Sequence, residues 1–329
     1  MLFFLIPALI QNAQPPAAPP VLDREIGFPG FNGFGLKGSV LAAEGQKYFA
    51  VMVAGAGPAD RDWFSTALKD PATNAPIQSH AGRDFARWLR AQGIGSLRYD
   101  KRFIGSRDPG LDISLDAQLG DLRAAITAAR TLPEARGKKL LLVGHDEGAL
   151  LALMATDGAD ALLLLSMPPE SLAKTIRGQL QAQIPPAIAG PDLVYLEAVF
   201  EAIRKRQPTP APGEGVHPLM TNLGKSLMAP ETLDFVRSAL DLDPWVLSSH
   251  LALPAAAAWG DRDIQTPRPS KIPAAFRGVV LDLPGANHLL KQETHPRGGL
   301  LPAQAVRNYG DTAPLAELDP IARWLKDLK

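Results

Sequence analysis

The chain has 329 residues with 34 Lys plus Arg against 34 Asp plus Glu, so no global field favours nucleic acid or an acidic partner. Hydrophobic residues at 46% supply a sizeable core, and the length suits one large α/β domain or a core with an inserted lid. Cysteine is absent, which excludes disulfides, thiolate metal sites and a Cys nucleophile.

Met1 to Ile10 is an apolar run, followed by the Pro/Ala-rich stretch Pro15 to Pro20. It is far short of the roughly 20 residues that span a membrane as a helix. It fits a signal h-region, with Ala13 near a cleavage point, although no Lys or Arg precedes it. Residues 1–22 are therefore expected to be a signal peptide and linker, and export to a bacterial periplasm is the expectation, with a cytoplasmic location as the alternative. No later stretch reaches transmembrane length, so no stable membrane span is expected.

From Tyr48 onward, β-like runs alternate with helix-period segments, the pattern of a mostly parallel sheet. Tyr48 to Ala54 reads as a strand entering the loop Gly55-Ala56-Gly57-Pro58. A helix follows with Phe85, Trp88 and Leu89 on one face and Gly93 as its stop. Ile94 to Tyr99 reads as a strand, and Leu115, Leu119, Leu122 and Ile126 mark the next amphipathic helix. The apolar run Lys139 to Val143 is a strand, Ala149 to Ala155 a helix, and Ala161 to Leu165 a fully apolar strand. These segments make 23–167 the first part of a core.

The alternation then stops. Residues 168–245 read as helical segments broken by loops, and Asp192 to Arg206 places Leu193, Leu196, Phe200 and Ile203 on one face. An all-helical insertion after a core strand is expected to be a cap over the site. Strands resume at Ala255 to Trp259 and Gly278 to Leu283 in the second part of the core, 246–329. Tyr309 to Lys329 is expected to close the chain as a helix carrying Leu318, Ile321, Trp324 and Leu325.

Between the strand ending at Val143 and the helix at Ala149 lies GHDEG, Gly144 to Gly148. Strand, G-x-nucleophile-x-G turn and helix make a nucleophile elbow, whose central side chain sits on a strained turn. The two glycines let strand and helix pack close, and the residue after the centre offers its backbone N–H at a helix N-terminus. The central residue, Asp146, stands where such elbows usually carry Ser. A nucleophile needs a base and an orienting carboxylate, expected in the chain order nucleophile, acid, His. Asp263 in Gly260-Asp261-Arg262-Asp263-Ile264-Gln265 and His288 in Pro284-Gly285-Ala286-Asn287-His288 each follow a strand, with Asp261 the second choice of acid. His145 should point away from the nucleophile and is read as structural, and His80, His217, His250 and His295 as surface or helix-end residues. Asp60, Arg61 and Asp62 read as a site loop or its buttress. No His/Asp/Glu spacing resembles a metal motif, so neither metal nor organic cofactor is expected, and the partner is a small-molecule substrate.

Gly55-Ala-Gly-Pro-Ala-Asp-Arg-Asp62, Leu97-Arg-Tyr-Asp-Lys-Arg102, GHDEG, Gly260-x-x-Asp-x-Gln265 and Pro284-Gly-x-Asn-His288 together resemble the α/β-hydrolases. The resemblance is to bacterial esterase-like members related to dienelactone hydrolases and serine aminopeptidase-type hydrolases, and it spans about Gly27 to Lys329. It implies an α/β-hydrolase fold with a helical cap. It puts Asp146, His288 and Asp263 in the catalytic slots, and an oxyanion hole at the backbone N–H of Glu147 and of the Gly55–Gly57 loop (Ala56, Gly57). Three departures stand out: Asp146 for Ser, Ala149 for the second Gly of GHSEGG, and Phe103-Ile104 interrupting Arg-Gly-x-Gly. Family resemblance points to a small ester-like or acyl substrate. A carboxylate nucleophile favours saturated carbon instead, as in epoxide hydrolases and haloalkane dehalogenases of this fold. Yet dehalogenases usually carry Trp where this chain has Glu147, and epoxide hydrolases two cap Tyr where this cap has only Tyr195. A former esterase that only binds its ligand is the third alternative.

Overall fold

The computed structural model describes residues 23–66, 68–104, 108, 110–183, 190–299 and 302–328. The expected signal peptide, residues 1–22, lies outside the described residues. Eight strands form one sheet: β1 (Arg24–Pro29), β2 (Gly35–Leu41), β3 (Tyr48–Val53), β4 (Gly95–Tyr99), β5 (Lys139–His145), β6 (Ala161–Leu165), β7 (Ala255–Gly260) and β8 (Val279–Leu283). Their spatial order is β1-β2-β4-β3-β5-β6-β7-β8. β1 to β2 and β2 to β4 are antiparallel, and all later pairs are parallel.

Strands buried on both faces need continuous apolar sequence, and β5 and β6 supply it. Leu140 and Leu142 face one layer with Leu122, Ile126, Leu151 and Trp259. Leu141 and Val143, offset by one residue, face the other with Phe85, Leu89, Ile321 and Leu325. Period two therefore splits one apolar run between two cores. Helices α1 (Ala81–Ala91) and α10 (Asp319–Asp327) cover the second face. Helices α2 (Leu115–Thr131) and α3 (Glu147–Met154) cover the first.

Between β6 and β7 the chain forms α4 (Leu172–Gln183), α5 (Gly190–Lys205), α6 (Pro218–Leu227), α7 (Pro230–Ala239) and α8 (Pro244–Ser248). Tyr195, Leu196, Val199, Phe200, Ile203, Met220 and Leu240 give this layer a core of its own. Phe235 of α7 packs against both that core and the sheet core. Among the described residues no helix is long and apolar enough to cross a membrane.

The expected helix from Tyr309 to Lys329 is corrected in its first half, since α10 begins only at Asp319. The preceding stretch gives its backbone to the loop after β8 instead. Gln292 N–H donates to the Pro314 carbonyl at 2.8 Å, and Ala316 N–H to the Leu290 carbonyl at 2.9 Å. Those bonds cannot coexist with an i→i−4 ladder.

Candidate active site

The parallel strands end together, and β3, β5, β7 and β8 each release a loop toward one place. At the end of β5, Asp146 has φ 52° and ψ −122°, a left-handed conformation that costs a non-glycine residue about 1–3 kcal/mol. The turn is held by Asp146 N–H donating to the Leu165 carbonyl at 2.9 Å and by Ala149 N–H donating to the Asp146 carbonyl at 2.9 Å. The flanking glycines are required by close approach. A Cβ on Gly144 would sit 2.3 Å from the Gly148 carbonyl oxygen, and one on Gly148 would sit 2.6 Å from the carbonyl oxygens of Val53 and Ala54.

After β8, Asn287 shapes the loop that carries His288. Its Oδ1 accepts from Leu289 N–H and Lys291 N–H, both at 3.0 Å, and its Nδ2 donates to the Asn308 carbonyl at 3.1 Å. His288 Nδ1 lies 3.0 Å from Asp263 Oδ2 and 3.1 Å from Thr266 Oγ1. Asp263 is fully buried, and its carboxylate accepts from Gln265 N–H at 2.8 Å, Thr266 N–H at 3.0 Å and the Thr266 hydroxyl at 2.9 Å. Burial pushes the Asp263 carboxyl up, but the His288 charge and these hydrogen bonds outweigh it and hold it well below the usual carboxylate range. Burial likewise disfavours a charged His288, yet the Asp263 and Asp146 carboxylates raise its pKa above the ordinary histidine value. Asp261, the rival acid, instead accepts from Gly285 N–H at 2.8 Å and braces the His288 loop.

Asp146, His288 and Asp263 are thus brought together around a strained elbow, at the carboxyl ends of a parallel sheet led by two antiparallel strands. The chain has the α/β-hydrolase fold. No family model matches it. Over 136 residues, 41% of its length, it is 30% identical to the thiohydrolase apmlB of Arthrinium phaeospermum, and it spans only 38% of that relative. Among solved structures it is similar to the α/β hydrolase GrgF from Penicillium sp. sh18, with 20% identity, a TM-score of 0.49 and coverage of 82% of this chain and 91% of that one. Est1E from Butyrivibrio proteoclasticus gives 14% identity, a TM-score of 0.47 and coverage of 87% and 96%.

In this α/β-hydrolase-fold chain the loop after β3 lies against the elbow. Ala56 N–H donates to Asp146 Oδ2 at 3.0 Å. Gly55 is pressed so close that a Cβ there would lie 2.9 Å from the Asp146 Cβ. Gly57 takes φ +75°, and its carbonyl accepts from Ala59 N–H at 2.9 Å. Glu147 opens α3, so its backbone N–H is among those with no partner inside the helix. The Glu147 side chain is not a bare negative charge, because Lys101 Nζ donates to its Oε1 at 3.0 Å and to the Gly55 carbonyl at 2.5 Å. One buried lysine thereby ties the β3 loop to the start of α3.

Asp60, Arg61 and Asp62 form a buttress beneath that loop. Arg61 grips Asp100 with Nε and Nη2 at 3.0 and 2.7 Å and reaches the Gly38 carbonyl at 3.0 Å. Asp62 pairs with the buried Arg98. Asp60 Oδ1 accepts from Asp62 N–H and Phe64 N–H and closes the turn. His145 turns into the interior and packs under the site. Its Nε2 donates to the His288 carbonyl at 2.8 Å, and its ring stacks on Trp63 with centroids 4.6 Å apart.

Two cavities meet at the elbow, and both are bordered by Ala56, Asp146 and Gln265. One, of about 220 Å³, runs under the helical layer past Leu150, Leu172, Phe235 and Ala239. The other, of about 160 Å³, is bordered by His145, His288, Ser65 and Tyr309. Tyr195 belongs to the core of the helical layer and borders neither. Gln265 carries part of the motif resemblance but was given no role from sequence, and Tyr309 was given none either, since it follows His288 at no motif spacing. A larger cleft of about 690 Å³ lies at the opposite, amino ends of the strands beside α10 and contains none of the three residues. Among the described residues no group of three or more His, Cys, Asp or Glu is placed to hold a metal ion.

Proposed function

We propose that this α/β-hydrolase-fold hydrolase breaks a bond at saturated carbon through an alkyl ester of Asp146. The carrying observation is the 3.0 Å hydrogen bond from Ala56 N–H to Asp146 Oδ2. In acyl transfer such a donor must lie on the substrate carbonyl oxygen as it becomes an oxyanion. Here it lies on the nucleophile's own carboxylate.

That placement is useful only if Cγ of Asp146 is itself the centre that becomes tetrahedral. In the first step the other carboxylate oxygen forms a bond to the substrate carbon while the leaving group departs with its electron pair. In the second, neutral His288 takes a proton from water through Nε2, and the hydroxide attacks Cγ. Negative charge then builds on Oδ2, where Ala56 N–H is already in place and Glu147 N–H is adjacent in the chain. Collapse expels the alkoxide, which takes the proton back from His288. Asp263 holds Nδ1 so that Nε2 stays free to act as base. The apolar chamber under the helical layer, which acts as the cap, accepts the organic part of the substrate.

A second reading, hydrolysis of a small ester or other acyl substrate, draws support from the stretch similar to a protein named a thiohydrolase. A carboxylate attacking an ester forms an anhydride while expelling an alkoxide, an uphill exchange, whereas a thiolate leaves more readily. The His288→Ala variant separates the two. Incubated with small alkyl bromides and epoxides, it should accumulate an adduct of alkyl mass on the Asp146 peptide. Turnover of wild type in oxygen-18 water should place label in the Asp146 carboxylate. The alkyl-ester reading is overturned if neither probe class modifies Asp146 while wild type cleaves esters. A wild type that cleaves nothing, with Asp146→Ser gaining esterase activity, makes the chain a binding protein.

A further inference from the structure

The side chain that handles the departing group remains to be assigned, and its place is the smaller cavity. Tyr309 comes from the segment after α9 (Pro302–Arg307), outside the helical layer, and is 1% exposed. It borders the same cavity of about 160 Å³ as Asp146 and His288. Gln265 Nε2 donates to its phenolic oxygen at 2.9 Å, so that oxygen is already an acceptor. The phenolic hydrogen has no acceptor among the described residues, and a buried hydroxyl without one is costly. Burial pushes the phenol above its usual range, so it remains a protonated donor at neutral pH.

We propose that the Tyr309 hydroxyl donates to a leaving oxygen in this cavity, which makes a small epoxide the substrate class of the site. The inference rests on the alkyl-ester reading of Asp146. An alkoxide is too poor a leaving group to depart unassisted, whereas a halide leaves without a proton. Asp146 forms a C–O bond as the ring C–O bond breaks, the electron pair goes to the ring oxygen, and that oxygen takes the Tyr309 proton. Water then hydrolyses the ester. The proton released when the Asp146 carboxyl re-ionises restores the phenol, so the net reaction is epoxide plus water to diol. Gln265 supports the step by donating to the phenolate oxygen as it forms, and the apolar chamber takes the rest of the molecule.

The test compares wild type and Tyr309→Phe on a terminal epoxide and a primary alkyl bromide of equal chain length, measuring the rate of adduct formation on Asp146 by rapid quench and mass spectrometry. Loss of one such donor should slow the epoxide about 10²-fold and leave the bromide within about threefold, which also shows that the variant is folded. The proposal falls if both rates drop equally, if neither drops, or if wild type is alkylated by bromides and not by epoxides. In each of these cases the alkyl-ester reading survives. If neither probe modifies Asp146 in wild type, both fail together.

Discussion

Asp263→Asn is the sharpest single test of how the buried carboxylate serves His288. At 3.0 Å and an effective dielectric constant of about 20, the attraction between Asp263 and a protonated His288 is about 5 kcal/mol. In the proposed mechanism that attraction develops as His288 takes a proton from water, and at about 1.36 kcal/mol per tenfold it corresponds to some 10³–10⁴ in rate. Asparagine keeps the volume and the bonds from Gln265 and Thr266 N–H, but its amide can turn hydrogens toward Nδ1. The ring then carries its own hydrogen on Nε2 and cannot act as a base. Only the second step needs that base. Rapid-quench mass spectrometry with an alkyl bromide should therefore show the ester forming within a few-fold of the wild-type rate and persisting about 10³–10⁴ times longer. The charge of Asp263 also raises the His288 pKa, so the acid limb of the hydrolysis step should lie above the ordinary histidine value in wild type and move downward in Asp263→Asn. Equal loss in both steps, or an acid limb that does not move, would refute the reasoning.

Asp146→Ser shortens the side chain that accepts from Ala56 N–H, freeing that donor for a substrate carbonyl. The variant should lose alkyl bromide turnover and gain measurable hydrolysis of an activated ester, and an inert variant counts against the hole assignment. Gly148→Ala drives a Cβ to within 2.6 Å of two backbone carbonyl oxygens and should cost about 1–3 kcal/mol of stability. An unchanged urea midpoint would contradict the close approach. Asp121→Ala leaves the buried Arg102 guanidinium without the carboxylate that holds it at 2.6 and 2.7 Å, and should cost about 3–5 kcal/mol in urea unfolding. A loss under about 1 kcal/mol would show that water reaches the site.

The elbow, Asp263 and His288 were legible because each follows an apolar strand and sits in turn chemistry with its own signature. Rank within the turn favoured Asp263 over Asp261; in the structure Asp263 lies on Nδ1 of His288 and Asp261 on Gly285 N–H. β1 and β2 were not legible. β1 buries only Phe28, so it offers no alternation to read. The resemblance put Ala56 N–H beside the elbow as an oxyanion donor, but its bond to the carboxylate of Asp146 itself, 90 positions away, was out of reach because no side-chain pattern encodes it. Tyr309 was hidden in a stretch whose apolar spacing reads as helix. Its neighbours are instead committed to bonding the loop that carries His288.

The close packing of His145 against His288, with the rings tilted at 58°, has a consequence for titration curves. The two rings are 4.8 Å apart, close enough that two ordinary histidines would lose protons as a coupled pair. Burial first, and then the neighbouring His288 charge, bring His145 down to about 4. Its Nε2 hydrogen is committed to the His288 carbonyl. One ring is therefore a fixed neutral strut throughout the range in which the other titrates. The acid side of the rate profile should be a one-proton curve of unit slope, steepening only as the pH nears the His145 value.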